Sequence, residues 1–214
     1  VFKSGEDYHQ RTAQLISKQA WGIPPEEVTK KHRTAAKSVN FGLLYGMSLS
    51  TLAGRIGCTV QEATKIQNAV FGSFPNLKKW CDEQLRITRR EGVAYTYWNN
   101  ERARVRPMFR IADHDDYTRK KAEHGSWNTP VQGSASDLCL ASLARCVDWI
   151  HEENYPAKLV LTVHDSLLFE VDEDKAEDLT HNIKHIMGDW PTNGVPLVVD
   201  AEIGYSWGNL EAID

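Results

Sequence analysis

No stretch of this 214-residue chain comes near the roughly 18 uninterrupted apolar residues that a membrane-spanning helix requires. The first residues, Val1-Phe2-Lys3-Ser4-Gly5-Glu6-Asp7, lack the layout of a signal peptide, so the expectation is a soluble, intracellular protein with no membrane partner. Cysteine is scarce. Cys58, Cys81, Cys139 and Cys146 form no Cys-x-x-Cys pair, which argues against a zinc ribbon or redox motif and makes buried thiols the plain expectation. Internal repeats and low-complexity linkers are missing as well. With 41% hydrophobic and 25% charged residues, 14 Gly and 8 Pro, the chain is neither collagen-like nor mostly disordered. His181 and His185 stand four apart, yet no carboxylate or cysteine stands at companion spacing, and they read as a solvated helix face.

What is present is a strongly divided charge. The formal net charge of -4 argues by itself against a nucleic-acid-seeking protein. Up to Lys121, however, 21 basic residues face 12 acidic ones, a surplus of nine, whereas the remainder has 4 basic and 17 acidic residues, a deficit of thirteen. Two readings stay open: a first region built to meet a polyanion, or charge segregated on solvated helices. The length allows one large domain or two small ones.

Apolar spacing predicts helices over 6–19, 30–45, 49–56, 60–71 and 75–91, with a short turn at Pro25-Glu26-Glu27 and breaks at Gly57, Gly72 and Gly92. From Val93 to Arg110 the pattern becomes a loop or short hairpin. Asn99-Asn100 marks the turn there, and Pro107 excludes a central strand. Helices follow at 115–126, 136–153 and 174–187. Lys158 to Val163 and Ser166 to Val171, separated by His164-Asp165, read as an antiparallel hairpin, and Pro196 to Ile203 as a last strand. The fold class expected is α+β, with a mainly helical first half.

The segment from Arg33 to Gly46 carries the most chemistry. At about 100° per residue, Arg33, Lys37, Phe41 and Tyr45 share a helical stripe roughly 120° wide, two cations followed by two aromatics. Such a stripe could hold a polyphosphate and stack a sugar and base. Core aromatics with solvated cations are the plainer alternative, and geometry alone favours it. Gly42 and Gly46, on a neighbouring face, cost a helix about 1 kcal/mol each, which points to something approaching the backbone closely.

Arg-x-x-x-Lys-x-x-x-Phe-Gly-x-x-Tyr-Gly resembles the nucleotide-binding helix of family A DNA polymerases, the DNA polymerase I family. The resemblance implies that Arg33 and Lys37 bind the triphosphate of the incoming dNTP, Lys37 taking part in catalysis. Phe41 packs on the sugar and base, and Tyr45 stacks beside the template base. Gly5-Glu6-Asp7-Tyr8-His9 is similar to the family segment whose histidine contacts the same triphosphate, which adds His9. Phe at position 41 is associated in this family with poor use of dideoxynucleotides.

Val163-His164-Asp165-Ser166 resembles the family's second catalytic motif. A carboxylate at a hairpin tip is exposed, firmly placed and hard enough as an oxygen donor for Mg²⁺. By resemblance Asp165 is one of two aspartates that hold a pair of Mg²⁺ ions. Ser166 stands where the family usually has Glu, a departure shared with single-subunit RNA polymerases, though those usually lack the Phe-Gly found at 41 and 42. Asn128-Thr129-Pro130-Val131-Gln132-Gly133-Ser134-Ala135-Ser136-Asp137 is similar to the family's Asn-x-Pro-x-Gln-Gly-x-Ala-x-Asp. There Asn128 and Gln132 reach the minor groove of the primer-template, where amides test pair shape without reading sequence. His124 replaces a family arginine. His164 joins the implied DNA contacts, as do Arg102 and Arg104 of the basic run Arg102, Arg104, Arg106 and Arg110, which fits phosphate contact as well as it fits a solvated loop.

The family's other essential aspartate, in Asp-Tyr-Ser-x-x-Glu-x-Arg, has no match in the chain. Asp113, Asp115 and Asp116 cluster in what reads as a solvated interhelical loop. The resemblance therefore implies fingers over 1–121 and the second part of a palm over 122–214, without thumb or proofreading domain. Implied partners are primer-template DNA, dNTPs and the missing N-terminal polymerase portion, with two Mg²⁺ ions in the complete enzyme. The setting implied is the cytoplasm of a bacterium or phage-infected host, or an organelle. The isolated chain is expected to be inactive. Alternatives are a non-catalytic DNA-binding half of a split polymerase and a fragment of a single-subunit RNA polymerase.

Overall fold

Four of the described helices begin on a residue whose side chain accepts from a first-turn N–H that lacks a helical partner. The computed structural model describes residues 4–44, 47–98, 101–192 and 194–213. Asp7 caps α1 (Tyr8–Trp21) by accepting from Gln10 N. After a 3₁₀ turn at Pro25–Glu27 and α2 (Lys30–Leu44), Ser48 caps α3 (Leu49–Ile56). Thr59 and Glu62 form a reciprocal capping box at the start of α4 (Val60–Ser73), and Pro75, lacking an N–H that the first turn could not use, opens α5 (Pro75–Glu91). Gly57 and Gly92 end their helices at φ +72, the left-handed conformation that glycine enters without a Cβ penalty. Gly72, expected as a break, lies inside α4, because Val70 and the aromatic Phe71 beside it keep that turn packed on the core.

The chain divides into two compact units, Val1–Gln132 and Gly133–Asp214. In the first, Ala13 and Ile16 of α1, Ala36 and Val39 of α2, Leu52 of α3, and Ala63, Ile66 and Val70 of α4 form the main core. Burying a side chain such as Ile66, with no exposed surface, stabilises by about 1.5–3 kcal/mol relative to leaving it in water. Strands β1 (Val93–Trp98) and β2 (Glu101–Pro107) pair antiparallel, with an irregularity between Tyr95 and Tyr97. The expected loop or hairpin is thus a hairpin, its Asn99-Asn100 turn lying outside the described residues. Pro107 ends β2, where its missing N–H breaks no ladder. A smaller core of Ala94, Met108 and Ile111 holds the hairpin against Leu85 and Ala122.

Asp115 caps α6 (Asp116–Asn128) by accepting from Thr118 N. The aspartate cluster lies in the expected loop and at its end, although the loop joins β2 to α6 and not two helices: Asp113 accepts from Asp115 N and Arg110, Asp115 is the cap, and Asp116 begins the helix. Helix α6 is followed by a single π turn, Thr129–Gly133, and by α7 (Ser134–Glu152). Pro130 cannot donate to an α-helical ladder, and one wide turn absorbs the gap.

In the second unit, Cys139, Ser142, Cys146 and Ile150 bury one stripe of α7 at steps of three and four. Cys146 and Ile150 meet Ala157 of β3 (Ala157–Val163) and Leu179 and Ile183 of α8 (Ala176–Gly188). Strand β4 (Ser166–Val171) adds Leu167, Phe169 and Val171 to that core. The strand expected over 196–203 is shorter than the sequence suggests. Only β5 (Ala201–Ile203) pairs, with β6 (Glu211–Ile213), because apolar residues such as Val198, 77% exposed, have no partner strand among the described residues.

Gly204, just after β5, leaves room for backbone alone: a Cβ there would sit 2.2 Å from Asn209 O. Gly204→Ala is expected to destabilise the second unit by about 1–3 kcal/mol through forced backbone movement. In contrast, Gly54→Ala on α3, where a Cβ would meet nothing within 4 Å, is expected to raise stability by up to about 1 kcal/mol. Urea-unfolding midpoints shifting in opposite directions would bear this out. A Gly204→Ala midpoint equal to wild type would contradict it.

Candidate active site

Helix α1 starts on a residue that does two things at once. One carboxylate oxygen of Asp7 accepts from Gln10 N at 2.8 Å, and the other accepts from Arg33 Nε at 2.8 Å and lies 2.6 Å from Arg33 Nη2. The first turns of α1 and α2 are thereby tied together. The Arg33 guanidinium beside Asp7, with the helix-start amide, holds its carboxyl below the ordinary 3.8. A folded-state pKa lowered in this way stabilises above about 3.8, and the contribution is lost as the pH falls through the folded value. Arg33→Ala is expected to return the Asp7 titration, followed by carboxyl ¹³C shifts, toward 3.8. An unmoved titration would show that the pair is not what lowers it.

At the second residue of α1, His9 meets α2. Its ring centroid is 5.7 Å from that of Phe41, tilted by 52°, and Lys37 Nζ lies 5.8 Å from the Phe41 centroid. His9, Arg33, Lys37 and half-buried Phe41 therefore line one face, brought together from two helices by the packing of Ala13 and Ile16 on Ala36 and Val39. Partial burial lowers the His9 pKa, and Arg33 and Lys37 act in the same direction against the opposing pull of Asp7. The face thus offers two cations, a largely neutral imidazole and the surface of an aromatic ring. Tyr45, expected on the same stripe, lies outside the described residues. The sequence reading passed over Asp7, Thr12 and Asn40, all bonded into this corner. A signal existed for Asn40, an amide set between Val39 and Phe41 in an otherwise apolar run.

Elsewhere in the first unit the arginine row is partly engaged. Arg102 lies over the Tyr95 ring at 4.2 Å and donates to Glu91 Oε2 at 3.0 Å. Glu91, bonded by Arg90, by the Tyr95 hydroxyl and by Arg102, is drawn down to about 2. Arg106 donates to Thr129 Oγ1, and Arg104 is exposed. His124 is half-buried, edge-on to Trp127 with centroids 5.3 Å apart, and burial lowers its pKa, so it does not reproduce the charge of the family arginine. Asn128 is the last residue of α6, and its Oδ1 is buried without a hydrogen-bond partner among the described residues, whereas Gln132 in the π turn is exposed.

In the second unit the β3–β4 turn presents His164 and Asp165 at its tip, both exposed. His164 adopts φ 56, the left-handed conformation that tight hairpin turns use and that a histidine enters at a cost. Two hydroxyls close the turn. Thr162 Oγ1 donates to Ser166 O at 3.1 Å, and Ser166 Oγ donates to Val163 O at 2.9 Å. Ser166 thus locks the turn that carries Asp165. From α7, the Cys139 thiol points at His164 O at 3.8 Å, and burial followed by the Asp165 charge raises its pKa. Asp165 is consequently held on a short stiff turn with its carboxylate in solvent.

Comparison with known proteins covers both units. The sequence pattern of DNA polymerase family A matches residues 1–209. The chain is 35% identical over 214 residues to the thermostable DNA polymerase I of Thermus thermophilus, covering 97% of this chain and 24% of that protein. To the DNA polymerase I of Geobacillus stearothermophilus it is 34% identical over 207 residues, covering 97% and 23%. Its fold matches a solved structure described as the POL domain of Pol1 from M. smegmatis in complex with DNA primer-template and dNTP. That match has a TM-score of 0.80 and 29% identity, over 92% of this chain and 33% of that one. The chain spans about a quarter of the length of these curated relatives. Matched along nearly its whole length, the chain belongs to DNA polymerase family A.

Proposed function

We propose that this chain supplies the fingers, residues 1–121, and the second part of the palm, residues 122–214, of a polymerase that extends a primer 3′-end with dNTPs on a DNA template. The observation that carries this reading is the face on which His9 of α1 stands beside Phe41 of α2, with Lys37 over the ring and Arg33 one turn before it. Arg33, Lys37 and His9 bind the triphosphate, and Phe41 packs on the sugar and base. Tyr45 stands beside the template base. Lys37 also stabilises the charge that develops on the phosphates. Gln132, Asn128 and His164 contact the primer-template, and Arg102 and Arg104 its phosphate backbone.

Asp165 fits a hard divalent cation as one oxygen donor on a firmly held turn. We assign the second carboxylate to the family's Asp-Tyr-Ser segment, which has no match in this chain. Two Mg²⁺ ions, when bound, activate the primer 3′-hydroxyl and stabilise the leaving pyrophosphate.

The purified 214-residue chain is therefore expected to extend no primer alone, and to do so when a polypeptide carrying the Asp-Tyr-Ser part of a family A polymerase domain is added. Extension by the chain alone would overturn the proposal. If the reconstituted pair binds primer-template without extending it, the chain is a non-catalytic DNA-binding half.

A further inference from the structure

Helix α1 brings His9 to the nucleotide face with one ring nitrogen already engaged. Asn40 Nδ2 lies 3.0 Å from His9 Nδ1 and 3.1 Å from Thr12 Oγ1. A third bond sets the direction of the other two. Thr12 Oγ1 gives its only proton to Tyr8 O at 2.9 Å, so toward Asn40 it can only accept. The amide must present its NH₂ end to Thr12, and the second hydrogen of that NH₂ is left for His9. His9 Nδ1 is then the acceptor, and the ring proton sits on Nε2.

We propose that Asn40, oriented by Thr12, is a positioning residue that holds His9 in its Nε2–H form, a hydrogen-bond donor to the triphosphate laid along Arg33 and Lys37. The inference rests on the nucleotide reading of this face and specifies how His9 serves it. A neutral imidazole in the other form would turn a lone pair toward a phosphate oxygen, and a contact meant to attract would repel. The placement of Asn40 supports a dedicated role. It is 3% exposed, sits between Val39 and Phe41 in the core-facing part of α2, and its Oδ1 is buried without a partner among the described residues. A buried amide left half-satisfied costs stability, and an apolar side chain there would avoid the cost. The neutral state that the argument requires agrees with the downward shift that burial gives His9.

Long-range ¹H–¹⁵N spectra of the 214-residue chain with ¹⁵N-labelled histidine report the form directly, and a His9→Gln spectrum identifies its signal among the 8 histidines. Wild type is expected to show the Nε2–H pattern alone. Thr12→Ser keeps the hydroxyl and should keep the pattern. Thr12→Val frees the amide to rotate, so a mixture of both forms is expected, with binding of inorganic tripolyphosphate weakened in proportion to the Nε2–H population lost, about twofold for an equal mixture. Asn40→Asp, an acceptor only, should move the proton to Nδ1. An Nδ1–H or mixed pattern in wild type, or an unchanged pattern in both Thr12→Val and Asn40→Asp, would overturn the inference. If tripolyphosphate leaves every His9 signal unmoved while wild type shows Nε2–H alone, the positioning by Asn40 stands and the nucleotide reading falls.

Discussion

Asp165→Asn, placed in a polymerase domain completed with the Asp-Tyr-Ser part, is expected to lower the primer-extension rate by on the order of 10³-fold or more. The substitution keeps size and one acceptor oxygen but removes the negative charge on which a divalent ion depends. Folding should be untouched, since Asp165 is exposed and the turn is closed by Thr162 and Ser166. The loss should fall on the rate and leave the dNTP concentration for half-maximal rate nearly unchanged, because the side chains proposed to bind the triphosphate lie on α1 and α2. Asp172→Asn, an exposed carboxylate just past β4, serves as the control and should leave extension as it is. A loss of less than tenfold for Asp165→Asn, measured in single-turnover extension, would remove Asp165 from the catalytic assignment.

Lys37→Ala in the same completed domain is expected to lower kcat/KM for dNTPs by roughly 10²- to 10³-fold, the usual cost of losing one donor aimed at developing charge. Arg33→Ala should cost less. The Arg33 guanidinium already faces Asp7 at 2.6 Å, so part of its field is cancelled before any nucleotide arrives, whereas among the described residues no carboxylate is paired with exposed Lys37. Lys37→Arg should recover part of the loss, since the charge returns but the planar fork over Phe41 differs from a compact ammonium. Pre-steady-state incorporation of one dNTP measures both variants. If Arg33→Ala proved the more damaging, the pairing with Asp7 would be a means of aiming Arg33 and not a partial neutralisation.

Local pattern carried much of the architecture. Helices over 49–56 and 75–91 stand where apolar spacing puts them, because each has its stop signal in the sequence: Gly57 and Gly92 in the left-handed conformation, and Pro75 at the first helical position. The hairpin around Asp165 was equally legible, since two apolar, partly β-branched runs separated by two polar residues admit few other arrangements. The C-terminal region was not. Strand pairing there depends on residues 211–213 returning to 201–203, a contact across a turn built by Gly204 and the 3₁₀ turn Trp207–Asn209, for which no periodicity exists in so short a segment. The π turn at Thr129–Gly133 was hidden for a similar reason: Pro130 signals a disturbed helix, but which repair the chain adopts depends on its surroundings.

The sequence by itself determined the spacing of Arg33, Lys37 and Phe41, and with it a helix face bearing two cations and a ring, because 3.6 residues per turn is a property of the backbone. It likewise determined that Asp165 would stand at a turn tip. Tertiary structure alone decided that His9 faces Phe41, that Asp7 pairs with Arg33, and that Asn40 stands between Thr12 and His9. Those contacts join residues 26 or more positions apart, and their geometry follows from how Ala13 and Ile16 seat on Ala36 and Val39. Apolar packing is non-directional, so a sequence can announce which faces are buried without stating which polar atoms the burial brings within bonding distance.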